Sequence, residues 1–282
     1  MTTTTIRSLL SYLECSACGA VHDAHRQQNL PTVCARPLLA RYALADLDGP
    51  RWRAALRERP WSLWRYAELL PVANLDDRVS LGEVVTPLLD LPRTAARLGL
   101  THLRAKDEGL LPMGSSKTRG AAVGISRARE VGVTHVALPT AGAGGAWAAC
   151  AARSGLRATV VMPEDAPTIN VREAVVSGSS VYLVRGLISD AGALVARYIE
   201  RAGEASGAAP FDAAMLRETK GRAVSVSDDE IARAVYQTAQ DDGLFLSSEG
   251  AAPSVGPAPA PPDACDSRVR GEGSRGCSTL RL

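Results

Sequence analysis

The chain has 282 residues, with 32 Lys and Arg against 30 Asp and Glu, for a formal net charge of +2. That balance gives no electrostatic reason to bind nucleic acid or an anionic membrane. No window reaches the ~18 apolar residues of a membrane span, and the N-terminal Met-Thr-Thr-Thr-Thr-Ile-Arg lacks a basic region followed by an apolar one, so a cytoplasmic chain with mostly reduced cysteines is expected.

In chain order, residues 13–46 come first, with Cys15-Ser-Ala-Cys18-Gly19, then His22, His25 and Cys34. A C-x-x-C knuckle followed by Gly sets two thiolates in a tight turn, which suits zinc. A second pair would need cysteine where Pro31 stands. Cys15, Cys18 and Cys34 are therefore candidate metal ligands of an incomplete site. His22 or His25 could complete it; otherwise the segment is an irregular extension without metal. Residues 50–72 carry Trp52, Trp61, Trp64 and Leu69-Leu-Pro71. Their spacing predicts one helical face holding Trp61, Trp64 and Leu69, ended by Pro71.

Lys106-Asp-Glu-Gly-Leu-Leu-Pro-Met-Gly-Ser-Ser-Lys-Thr-Arg-Gly120 follows a short strand-like run, 102–105. Ser115 reads as a helix N-cap, with Lys117 in the first turn. A helix start among small residues is an anion site, and an amine beside it can attack a carbonyl. A solvated surface lysine is the other reading. From 102 to 212 strand-like runs (102–105, 135–138, 158–162, 181–184) alternate with helix-like ones (117–130, 146–154, 170–177, 188–205). That alternation predicts an α/β fold with a mostly parallel sheet between helix layers. Ligands in such sheets bind beyond the carboxyl ends of strands. One such end is Pro139-Thr-Ala-Gly142-Ala143-Gly144-Gly145-Ala146-Trp147, where small residues admit a ligand or a neighbouring helix. Glu164 and Asp165 read as a solvated loop. Ser227-Asp-Asp-Glu230 is a capping box opening a helix that closes at Gly243. Residues 244–252 suggest a short strand and a turn. From Pro253 the Pro-, Ala-, Gly- and Arg-rich composition predicts disorder.

The segment 106–120 resembles the Lys-Asp-Glu…Gly-Ser-Phe-Lys-x-Arg-Gly signature of threonine synthases, fold type II enzymes of the tryptophan synthase β-subunit-like class that use pyridoxal phosphate. Leu111, Met113 and Ser116 stand where the family has Asn, Thr and Phe. Pro37-Leu-Leu-Ala-Arg-Tyr42, Trp64-Arg-Tyr-Ala-Glu-Leu-Leu-Pro71 and Leu81-Gly-Glu-Val-Val-Thr-Pro-Leu88 are similar to the family's lead-in, with Val84 in a glycine's place. Strain is expected there. The resemblance implies that Lys117 carries the cofactor through its amine. It also implies that the loop Gly142, Ala143, Gly144, Gly145 and Ala146 faces the ring, although the family's Asn in that loop is absent. Residues 1–48 would then be a degenerate zinc-ribbon-like segment, 49–252 the cofactor-dependent region and 253–282 a tail that looks like a reading-frame change. The match breaks near 213–215, where roughly a hundred residues, including the phosphate-binding loop, are missing relative to the family. The implied reaction converts O-phosphohomoserine and water to threonine and phosphate, with activity impaired, in a chain that could dimerise. A non-catalytic remnant and a serine or threonine dehydratase are the alternatives.

Overall fold

The computed structural model describes residues 7–28, 34, 36–202 and 226–255. The elements in order are β1 (Leu10–Cys15), β2 (Val21–His22), β3 (Leu38–Tyr42), α1 (Gly49–Glu58), β4 (Leu88–Asp90), α2 (Pro92–Arg97) and β5 (Arg104–Lys106). Then come α3 (Lys117–Glu130), β6 (His135–Pro139), α4 (Gly144–Ser154), β7 (Arg157–Pro163), α5 (Thr168–Val176), β8 (Ser180–Val184), α6 (Ile188–Ala202), α7 (Asp228–Asp242) and α8 (Ser248–Ala251). They divide into two units, residues 1–85 with 109–212 and residues 86–108 with 213–282.

The first unit is built on the parallel sheet β6-β7-β8. Successive strand residues point to opposite faces, and both faces are apolar. Leu138, Val160 and Met162 pack with Ala148 of α4 and Ala174 of α5. Ala137 and Val161 pack against Ala191 and Val195 of α6 on the other face. The α/β architecture with a parallel sheet between helix layers is thus present. The same unit carries the antiparallel sheet β2-β1-β3.

Helix α3 packs on α4 through a cluster of Ala121, Ala122, Ile125, Ala146, Cys150 and Ala151, with Val136 of β6 beneath. Small side chains let the two helices approach closely. At Gly124 a Cβ atom would lie 2.4 Å from the Trp147 ring. The buried Ser126 donates to the Ala122 carbonyl at 2.6 Å and accepts from the Val79 N–H at 2.7 Å. The Glu130 carboxylate accepts from the N–H groups of Ala73 and Asn74. The lead-in segment is therefore tied down by polar side chains of α3.

In the second unit β4 and β5 pair antiparallel. Asp242, at the end of α7, accepts from the N–H groups of Arg93 and Thr94 at 3.1 and 2.9 Å. It thereby satisfies free amides in the first turn of α2. The capping box of Ser227 and Glu230 forms, and α7 closes on left-handed Gly243.

Several expectations need correction. Trp61, Trp64 and Leu69 do not share a helical face. Residues 63–69 form a 3-10 segment with a break at Tyr66; Trp64 is buried, while Trp61 is exposed and covered on one side by the Arg65 guanidinium at 3.7 Å. Strain is absent at Val84, whose backbone bridges Ser62 in the extended form. Among the described residues, the non-glycine residue with left-handed backbone is Met113, φ 58°. Residues 244–247 form no strand; a short helix, 248–251, follows. The break near 213–215 and the tail from 256 lie outside the described residues.

Two glycines of α3 separate packing from propensity. Gly124→Ala should cost about 1–3 kcal/mol through overpacking. Gly120, with open space around it, should gain up to about 1 kcal/mol as alanine, from helix propensity. Urea midpoints of the two variants check the opposite signs.

Candidate active site

Helix α3 begins at Lys117, and its residue before, Ser116, gives no side-chain cap. The hydroxyl of Ser115 instead accepts from the Lys117 N–H at 3.2 Å, so the capping serine expected from sequence is the right residue in a looser turn. Thr118, fully buried, donates from Oγ1 to the Pro112 carbonyl. Arg119 Nη2 donates to the Val84 carbonyl at 2.9 Å. These two bonds fix the first turn of α3 against the loop before it and against the lead-in. The Lys117 side chain itself is exposed.

The lead-in is held by Glu83, which is buried. Its carboxylate accepts from Ser80 Oγ at 2.6 Å and from the Leu81 N–H at 2.9 Å. Its negative charge adds to burial in pushing the nearby Cys150 thiol up to about 12. Cys150 is therefore a packing residue and not a nucleophile.

The glycine-rich loop after β6 is organised by two residues that sequence reading passed over. Thr140 Oγ1 accepts from the N–H groups of Gly142 and Ala143 at 3.2 and 2.8 Å. Asn170, in the first turn of α5, donates from Nδ2 to the Ala141 carbonyl at 3.0 Å. A Thr placed directly before a glycine loop was the available signal, since its hydroxyl turns the backbone locally. Helix α4 starts at Gly144 with no side-chain cap. Its first amides are the orphan donors of any helix start.

The loop residues do not all face outward. Gly142 is exposed and Ala143 half-buried, whereas Gly144, Gly145 and Ala146 are buried. A Cβ on Gly144 would meet Met162 at 2.6 Å, and one on Gly145 would meet Glu173 at 2.5 Å. The glycine pair is accounted for by close packing on β7 and α5. Met113, in the loop before Lys117, packs on the cluster that contains Ala146, so the two loops adjoin through that cluster. Glu164 and Asp165 are exposed, and Arg185 lies 3.4 Å from Glu164.

Cys15, Cys18 and Cys34 come together, their sulfur atoms within 4.8 Å of one another. The N–H groups of Cys18 and Ala17 point at the Cys15 sulfur and hold its pKa below the usual thiol value. A hydrogen bond with Cys18, then desolvation, pushes Cys34 up to about 11.

The sequence pattern of the pyridoxal-phosphate dependent enzymes matches residues 79–211, the stretch that holds Glu83, Lys117, Thr140 and Asn170. Over this segment, just under half of the chain, it is similar to that family. Threonine synthase of Methanocaldococcus jannaschii is 34% identical over 179 residues, 63% of this chain and 44% of that protein. Threonine synthase of Methanosarcina acetivorans is 33% identical over 188 residues, 65% of this chain and 45% of that one. The chain thus spans under half the length of these relatives. Among solved structures, a pyridoxal 5'-phosphate-dependent aspartate racemase overlaps with a TM-score of 0.41 at 23% identity, over 57% of this chain and 55% of that one. No helix among the described residues is long and apolar enough to cross a membrane.

The residues present fit the aldehyde and ring end of pyridoxal phosphate. Lys117 offers an accessible primary amine, and Gly142 and Ala143 leave backbone uncovered beside an uncapped helix start. The family's phosphate-binding loop is expected to be missing from the sequence, at the break near 213–215, and that break lies outside the described residues.

Thr140→Val should leave two loop amides without their acceptor and cost about 1–3 kcal/mol. Asn170→Ala, at a more exposed bond, should cost about 0.5–1.5 kcal/mol. Chemical denaturation at constant m-value measures both.

Proposed function

We propose that the chain is a pyridoxal-phosphate-dependent carbon–oxygen lyase of the threonine synthase kind, with O-phosphohomoserine as substrate and a reduced rate. The observation that carries this reading is the seating of Lys117. Its amine is exposed on a helix turn that is itself immobilised by Thr118 and Arg119. A surface lysine of no consequence has no need of such support.

When bound, the cofactor supplies an electron sink that stabilises negative charge next to the substrate's amino-bearing carbon. The chain's own part is positional and acid–base. Lys117 would hold the cofactor through its Nζ atom and move protons to and from the adjacent carbon. The Gly142–Ala143 backbone would border the ring. The uncapped start of α4 offers N–H groups toward an anionic substrate group. The net reaction releases phosphate and adds water.

A second reading, a non-catalytic remnant, draws on a different observation. The flank of the parallel sheet leaves large apolar residues in water: Val176 is 86% exposed and Leu187 71%. Such a flank expects a further layer. On this reading the loops would accept the cofactor weakly and turn nothing over.

The test has two stages. Full-length protein incubated with pyridoxal phosphate and reduced with borohydride should retain the cofactor on the peptide containing Lys117, and Lys117→Ala should abolish retention. Phosphate release from O-phosphohomoserine should then exceed keto-acid formation from serine or threonine. Weak or absent retention at Lys117 supports the remnant and sinks the lyase reading; stable retention abolished by Lys117→Ala overturns the remnant.

A further inference from the structure

The cysteine cluster stands apart from the lysine site, and the reading above makes no use of it. Cys15 ends β1, and two backbone hydrogen bonds close the turn that follows. The Gly19 N–H donates to the Cys15 carbonyl at 3.0 Å, and the Cys15 N–H to the Ala20 carbonyl at 2.9 Å. Gly19 takes the left-handed conformation this requires, φ 73°. The Ser16 N–H donates to the Pro37 carbonyl at 3.0 Å, which ties the knuckle to the segment just after Cys34. Thiolates at three corners of a tetrahedral zinc ion stand about 3.8 Å apart. Sulfur atoms within 4.8 Å are a small side-chain adjustment from that arrangement.

Three sulfurs leave one corner open. Residues 29–33, just before Cys34 in sequence, cannot fill it, because Asn29, Leu30, Pro31, Thr32 and Val33 include no thiol, imidazole or carboxylate. His22 can. It lies on β2 directly across from Leu13, two residues before Cys15 on β1. Cross-strand partners and alternate residues share one face of a sheet, so the His22 and Cys15 side chains project to the same side. Nε2 of His22 is buried and has no hydrogen-bond partner among the described residues. A buried ring nitrogen left in this way costs about 1–3 kcal/mol. His25 is exposed and meets neither condition.

We infer that His22 is the fourth ligand, and that Cys15, Cys18, Cys34 and His22 form a Cys3His site for one tetrahedral cation of the zinc class. His22 stands outside the three-sulfur group, so binding turns its imidazole inward by a rotamer change. The thiol protons leave to solvent as the metal enters. A closed four-ligand set with no open position makes the site structural: it staples β2-β1-β3, a sheet of short strands.

Cobalt(II) reports the ligand set directly. Full-length protein, reduced and stripped with a chelator, should bind one equivalent of cobalt with the spectrum of a tetrahedral three-sulfur, one-nitrogen site, and zinc should displace it. Loss of an outer partner of a metal ligand weakens binding by about 10–100-fold; His22→Ala, which removes a ligand, should weaken it by at least that much. His25→Ala should leave affinity and spectrum unchanged. His22→Cys should keep one equivalent and shift the spectrum to the four-thiolate pattern, which keeps the test decisive if His22→Ala fails to fold by circular dichroism. Wild-type affinity and spectrum in His22→Ala overturn the assignment. So does a His22→Cys protein without the four-thiolate spectrum, or a reduced wild type that takes up no stoichiometric metal.

Discussion

The close approach of α3 to α4 is the constraint on which the first unit depends. With the Trp147 ring filling the space above Gly124, the helices meet through alanine and glycine and cannot slide without collision. Close-packed interiors transmit such constraints because they hold little free volume. The contact fixes where α3 begins and where α4 begins, and these two starts carry Lys117 and the glycine loop. The polar ties at Ser126, Glu130 and Arg119 then hang the lead-in on the same helix. The candidate site is thus a by-product of helix packing, trimmed by a few hydrogen bonds.

Support for the two loops is unequal. The lysine turn is held by Thr118, Arg119 and, through the lead-in, by Glu83. The glycine loop relies on Thr140 and on the half-exposed Asn170. Its glycines answer to Met162 and Glu173 more than to any ligand. A pattern of small residues at a strand's end is chemically ambiguous, and here its buried members are explained by packing while Ala141, Gly142 and the half-buried Ala143 stay open.

Much of the α/β layering was legible in the sequence. The strands at 135–139, 157–163 and 180–184 are short, rich in Val and buried on both faces where central, so their apolar runs stand out. The Ser227 box and Gly243 stop were legible because capping is local chemistry. The tryptophan segment was misread, since Trp61, Trp64 and Leu69 satisfy a helical period that the Tyr66 break prevents. The strain expected at Val84 sits at Met113 instead. Backbone sign is set by the turn as built, and a family's glycine need not mark a left-handed position. Thr140 and Asn170 lie thirty residues apart in sequence, and their joint hold on one loop follows from tertiary structure alone. The cysteine trio was visible as spacing, but an unsatisfied nitrogen on His22 exists only in three dimensions.

Strand β8 has a wider consequence. Among the described residues it pairs on one side only, and it lies in a stretch, 174–184, without a single charge. Tyr182 and Leu183 within it are more than half exposed. Natural edge strands are usually guarded by lysine, proline or a bulge, and this one has none within it. Wherever no other segment covers that edge, the lifetime of the chain in a crowded compartment is a matter of kinetics. It is governed by how soon the edge meets another strand, and folding free energy becomes secondary.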